Sequence, residues 1–193
     1  MGLNPTLVLA SSSPRRRDLL ARLGVVPARI AAPDIDETPR KGEVPRVYAL
    51  RMAEEKAQAV SRAANEIIIA GDTTVAVGRR ILPQAADADM QRGFLTLLSG
   101  RRHHVLSAVA VIDADGRLRS RICDSIVRFK RLSAQEIDSY IESKEGLGKA
   151  GGYAIQGKAE ALIDWMAGSH SGVVGLPLYE TRALLRASGY PLD

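Results

Sequence analysis

The chain is short of the residues from which several kinds of protein are made. It has one cysteine, Cys123, so no intrachain disulfide can form, and a reducing cytoplasm is the compartment that suits it best. No Cys/His cluster has the spacing of a structural zinc site. Aromatic residues are 4% of the sequence, poor material for a platform on which single-stranded bases stack. No apolar run reaches the roughly 18 residues that span a bilayer. Met1 to Pro5 carry no basic stretch of the kind that opens a secretory signal. Neither a membrane nor nucleic acid is an expected partner. No repeat, low-complexity tract or linker interrupts the chain, which reads as a single domain over 1–193.

What is present is ordinary in amount and uneven in placement. Hydrophobic residues make up 46% and charged residues 25%, as in a globular protein. The net charge of +5 points to an anionic partner. Two basic clusters stand out: Arg15, Arg16 and Arg17, and Arg101 and Arg102 followed by His103 and His104.

Hydrophobic patterning alternates between strand and helix. Strands are expected over 6–10, 28–32, 67–70, 104–112, 117–129 and 161–166, with 73–77 continuing extended after the third. Helices are expected from Pro14 to about Leu23, over 47–60 along a stripe of Val47, Leu50, Ala53, Ala57 and Val60, and over 86–98, 133–142 and 178–188. Asp113-Ala114-Asp115-Gly116 is a hairpin turn signal, and Ser133 with Glu136 reads as a capping box. The class is α/β, in the sense of mixed α+β.

Four segments carry candidate chemistry. In Ser11-Ser12-Ser13-Pro14-Arg15-Arg16-Arg17, Ser13 suits an N-cap and Pro14 the first helical position. Three cations then crowd the positive end of a helix dipole, an arrangement that a docked phosphate would relieve; a solvated basic surface is the alternative. Asp34, Asp36 and Glu37 repel one another unless a hard divalent cation sits among them, or they form a bare acidic loop. Asp72 follows an apolar strand, where α/β folds gather ligands, and is a candidate metal ligand or general base, or a turn cap. In 149–157, KAGGYAIQG, glycines let backbone approach a ligand while Lys149 and Gln156 offer contacts to phosphate and base; a mobile surface loop is the plainer reading. His103 and His104 point to opposite sides of a strand and are read as structural.

Together these segments resemble the Maf family of nucleotide pyrophosphatases, nearly end to end. The resemblance is carried by LASSSPRRRDLL (9–20), DIDET (34–38), RMAEEKA (51–57), GDTTV (71–75), LSGRRH (98–103), KAGGYAIQG (149–157) and VVGLP (173–177). It implies a two-lobed Maf/inosine-triphosphate-pyrophosphatase-like fold, with a central mixed sheet and a cleft between lobes. It further implies hydrolysis of nucleoside triphosphates at the α–β bond to the monophosphate and pyrophosphate, a divalent cation (Mg²⁺ or Mn²⁺) and a homodimer. The family's base falls on Asp72, its metal-binding carboxylates on Asp36, Glu37 and Asp72, and its phosphate contacts on Ser11, Arg15, Arg16 and Lys56, joined by Lys149. The positions that mark the dTTP/UTP subgroup hold Arg15, Thr73 and Gln156. A broader or modified-nucleotide pyrophosphatase is the nearer alternative, and a non-catalytic nucleic-acid or cell-division interaction protein the more distant one. Three departures stand out: Gly71 where the family has Ala, Gln84 where it has Lys, and Gly172 where it has Asn. Arg79 or Arg80 is a candidate to replace the missing lysine charge.

Overall fold

A computed structural model of the chain describes residues 4–192. Its centre is a seven-stranded mixed sheet, as the mixed α/β reading expects. Strand β1 (Thr6–Ala10) lies parallel to β2 (Arg29–Ile30) on one side and to β3 (Glu66–Val77) on the other. From β3 the sheet continues antiparallel through β5 (Arg102–Ile112), β6 (Leu118–Phe129) and β7 (Ile163–Ala167). The short β4 (Arg80–Leu82) pairs with the far end of β3.

Helix α2 (Pro45–Gln58) covers one face of the sheet. It does so with the small stripe Ala49, Ala53 and Ala57, against Val8, Ala10, Ile68, Ala70, Leu106, Ala108 and Ala110. Alanines four residues apart let the helix approach the sheet closely. The other face holds a larger core, in which Leu7, Leu9, Ile67 and Ile69 meet side chains from α1 (Pro14–Ala21), α3 (Ala88–Leu98), α4 (Ala134–Glu142) and α6 (Leu178–Ala187).

One feature of register creates the site. Strand β5 pairs with β3 from Ile68 to Ala76 without a break. On the opposite edge, β1 pairs with residues 66–70 and β4 with 75–77. Residues 71–74 therefore have no strand beside them on that edge, at the point where β1 ends and its chain turns into α1. Side chains alternate along a strand, so Asp72 and Thr74 lie with Ile68 and Ala70 on the α2 face, while Thr73 points to the other.

The elements differ from the sequence reading where local signals mislead. The strand expected to end at Gly71 and the extended run expected over 73–77 form one strand, because β5 pairs straight across Gly71-Asp72. Residues 158–162 form a 3₁₀ turn, so the last strand starts at Ile163 rather than 161. Strand β4 and helix α5 (His170–Val174) were not expected; three and five residues are too few to show a period. Ser13 occupies the N-cap position of α1, but its side chain makes no cap hydrogen bond. Its N–H instead donates to Ser11 Oγ at 3.2 Å. The capping box of α4 and the turn at Asp113–Gly116 form as read.

Candidate active site

The unpaired edge of β3 opens into a cavity of about 480 Å³, a usual size for a small-molecule site. Stretches distant in sequence wall it, among them 10–16, Glu37 with Lys56, Asp72, Thr73 and Val75 of β3, residues 173–175, and parts of the loop between 148 and 156.

One wall carries carboxylates. Lys56, on α2, is 7% exposed, and its ammonium donates to Asp72 Oδ1 at 2.9 Å and to Glu37 Oε2 at 2.8 Å. Thr74 donates to Asp72 Oδ2 at 2.8 Å, so both oxygens of the buried Asp72 are held. Glu37 is placed by its backbone, whose carbonyl accepts from the Tyr48 hydroxyl at 2.8 Å. Burial and the charges of Asp72 and Glu37 push the Tyr48 phenol above its usual range. The acidic loop is pinned to α2 further along. Arg51 bonds Glu43 Oε1 at 2.7 Å, Glu55 Oε2 at 3.0 Å and the Thr38 carbonyl at 3.3 Å. The Arg51 hydrogen bonds hold the Glu43 carboxyl down at about 2.

The facing wall is cationic. Arg16 is fixed by its Nε donating to the Gly175 carbonyl at 2.9 Å and its Nη1 to Ser11 Oγ at 2.9 Å. Burial lowers its pKa, with the charges of Asp72 and Glu37 opposing that shift and the charge of Arg15 adding to it. Arg15 and Lys149 line the same cavity and have no carboxylate partner among the described residues. Burial lowers both from their ordinary values, and the charge of Arg15 lowers Lys149 further. Two cations that are partly desolvated and mutually repelling are held there by the fold.

The glycine-rich loop that carries Lys149 and Gln156 is tied down on all sides. Lys149 O accepts from Ala85 N at 3.1 Å, and Gly148 N donates to Ala85 O at 2.9 Å. Gln91 Nε2 donates to Gly152 O at 3.0 Å, and Ala154 N donates to the Tyr140 hydroxyl at 3.0 Å. Gly151 has φ +68°, and a Cβ there would lie 2.8 Å from Val75 Cγ1; only glycine fits this approach. His103 Nε2 meets the Tyr153 hydroxyl at 2.7 Å, and its ring stacks on Phe129. Burial depresses the His103 imidazole to about 4. His103 thus sits behind the loop, and His104 lies outside the cavity beside Asp124, both in accord with their structural reading.

Of the residues picked from sequence, Ser11, Arg15, Arg16, Glu37, Lys56, Asp72, Thr73, Lys149 and Gln156 all line this one cavity. Asp36 does not. It is exposed, and its carboxylate accepts from Thr38 N at 2.9 Å, because adjacent residues in an extended loop point opposite ways. Among the described residues no group of three His, Cys, Asp or Glu gathers closely enough to hold a metal. Lys56 is not aimed freely at the phosphate space; it bridges two carboxylates. Gln84 lines the cavity next to the loop, bridging Ala150 through the backbone. Arg79 and Arg80 do not line it, and the cation beside Gln84 is Lys149. A Cβ at Gly71 would lie 3.2 Å from the Ala108 carbonyl and 3.4 Å from Arg16 Nε, so the departure from alanine leaves space around the Arg16 guanidinium. Sequence reasoning missed Thr74, Tyr48 and the Gly175 carbonyl. Only the VVGLP segment signalled the last of these, with no role attached.

A model of the Maf-like protein family matches residues 6–188. The chain belongs to the Maf family. It is 65% identical to a protein of Sphingopyxis alaskensis named dTTP/UTP pyrophosphatase, over 97% of this chain and 99% of that one. It is 62% identical to a protein of the same name from Novosphingobium aromaticivorans, covering 96% and 93%. A third such Maf relative, from Caulobacter vibrioides, is 54% identical over 98% and 99%. Among solved structures, a HAM1 protein from Coxiella burnetii is 17% identical with a TM-score of 0.49, covering 95% and 99%, a likeness too distant to bear on the site.

Proposed function

We propose that this chain hydrolyses nucleoside triphosphates between the α and β phosphates, releasing a nucleoside monophosphate and pyrophosphate, and prefers dTTP and UTP. The observation that carries the reading is the division of one cavity into two walls. Arg15 and Lys149, with no carboxylate partner among the described residues, line it together with the cluster of Asp72, Lys56 and Glu37. A polyphosphate relieves the repulsion on the first wall, and the second brings a proton acceptor to its reacting end. The names of the relatives give the reaction and the pyrimidine preference, and Arg15, Thr73 and Gln156 line the same cavity. Gln156 offers both a donor and an acceptor to the edge of a base.

In this reading Arg15 and Lys149 bind the phosphates and Arg16 presents the remaining guanidinium edge, so the anhydride is held in one orientation. Asp72 accepts the proton of the attacking water as the water oxygen bonds to the α-phosphorus and the bridging oxygen leaves with pyrophosphate. Glu37 Oε2 and Asp72 Oδ1 already converge on one cation, the Lys56 ammonium. That donor set fits Mg²⁺ or Mn²⁺, which take one or two carboxylates and complete their shell with water and substrate phosphate oxygens. Glu37 and Asp72 would hold such an ion, which would supply charge neutralisation and lower the pKa of water at the site.

The test is pyrophosphate release from a panel of pyrimidine and purine triphosphates, with Mg²⁺ and with excess chelator. The expected result is fastest turnover of dTTP and UTP and loss of activity on chelation. Faster turnover of purine triphosphates would overturn the preference, and no release from any triphosphate would overturn the reaction.

A further inference from the structure

We propose that Thr74 is a positioning residue for this reaction, holding the Asp72 carboxylate at the angle from which it accepts the proton of water. The inference rests on the reaction proposed above.

Asp72 stands on the stretch of β3 that has β5 on one edge and no strand on the other. The terminal torsion of an aspartate is a broad, roughly two-fold rotor, so something must fix the plane of the carboxylate. Two groups do so, and they are unlike. Lys56 reaches Oδ1 on a long, flexible side chain and shares its ammonium with Glu37, whose side chain is about half exposed. When a polyanion enters, that ammonium has other partners to choose from. Thr74 reaches Oδ2 from two residues along the same strand and on the same face, at 2.8 Å. Its β-branched side chain is stiff at χ1, and it is 2% exposed, so its hydroxyl keeps its bond while the charges around it rearrange.

The hydroxyl is not needed to build the strand. The run Glu66–Val77 is rich in isoleucine and valine, and at a buried strand position valine has the same shape without the cost of burying a polar group. A buried hydroxyl is justified by its partner, and the partner is the one carboxylate in the cavity that is itself buried.

The experiment compares Thr74→Val, Thr74→Ser, Asp72→Asn and the double variant Asp72→Asn/Thr74→Val. Steady-state pyrophosphate release from UTP and thermal melting are read on each. Thr74→Val should lower kcat about tenfold with KM within about twofold, a fraction of the roughly 10²–10⁴ that a positioned base contributes. Thr74→Ser should recover most of that loss. In the Asp72→Asn background Thr74→Val should change the residual rate by less than about twofold, because a group acting through Asp72 has nothing left to act on. A kcat for Thr74→Val within twofold of the parent protein overturns the proposal. So does an equal loss in the Asp72→Asn background, or an Asp72→Asn variant as active as the parent. If the parent protein itself releases no pyrophosphate, the proposed reaction falls, and the role of Thr74 with it; a parent that turns over while Thr74→Val does so equally well refutes the role of Thr74 alone.

Discussion

Replacing Lys56 with methionine keeps an unbranched stem of four heavy atoms and removes the ammonium that lies between Asp72 and Glu37. The Lys56 and Asp72 side chains are each 9% exposed and 2.9 Å apart. Glu37, at 47% exposure, can turn to water and adds little to the cost. Breaking a buried pair by deleting one partner costs about 3–5 kcal/mol, a large share of the roughly 5–15 kcal/mol that holds a domain folded. For a chain of this size each kcal/mol moves the midpoint by about 2–4 °C, so Lys56→Met should melt on the order of 10 °C below the parent protein. A divalent ion then finds two carboxylates with no ammonium between them. Saturating Mg²⁺ should therefore raise the melting temperature of the variant more than that of the parent protein, by the mass-action gain of a ligand that binds only the folded state. Scanning calorimetry of both proteins, with and without MgCl₂, reads this directly. A variant that melts within about 2 °C of the parent would show that the Lys56–Asp72 pair does not hold the fold, and equal stabilisation of the two by Mg²⁺ that the ammonium does not compete with a divalent ion.

Acid should weaken the fold through His103 first. Its folded pKa, at about 4, lies below the ordinary 6.5, so its contribution is complete above pH 6.5 and is lost as the pH falls toward 4. The total is about 3 kcal/mol at ~1.4 kcal/mol per unit. His103→Phe should flatten the stability–pH slope above about pH 4.5, and an unchanged slope in denaturant titrations would contradict the assignment. Gln84→Lys places a second cation beside Lys149 and should lower KM for the preferred triphosphate several-fold, with a steeper salt dependence. Arg80→Ala, outside the cavity, should leave KM within about twofold, and the reverse pattern in initial-rate kinetics would put Arg80 rather than Gln84 next to the phosphates.

The sequence was a good guide wherever a signal is local. Apolar runs located β1, β5 and β6, the spacing of Val47, Leu50, Ala53, Ala57 and Val60 located α2, and a capping box located α4; but Val47 is 55% exposed, and Ala49 packs on the sheet with Ala53 and Ala57. It was a poor guide wherever pairing decides. The glycine and aspartate at 71–72 read as a strand end where the chain leaves the sheet, yet β5 carries the ladder through them. That continuity is what places Asp72 and Thr74 on one face. The residue types of the cavity were legible because charges crowd one another in short segments, and the family resemblance joined them. Their partners were not. Nothing in the spacing of Glu37, Lys56 and Asp72 says that one ammonium bridges two carboxylates. Nor does anything near Arg16 in sequence point to the carbonyl of Gly175. Asp36 and Glu37 looked alike in the sequence, and only the direction of the loop separates them.

Whether Asp72 takes a proton in the hydrolysis of a triphosphate is read from pyrophosphate release from UTP by the parent protein and by Asp72→Asn, with circular dichroism confirming that both are folded. Asparagine keeps the shape and can still accept the Thr74 hydrogen bond, but it cannot take up the proton. The folded variant should lose at least about 10²-fold in kcat. A folded Asp72→Asn protein that turns over within about tenfold of the parent would show that Asp72 is not the proton acceptor.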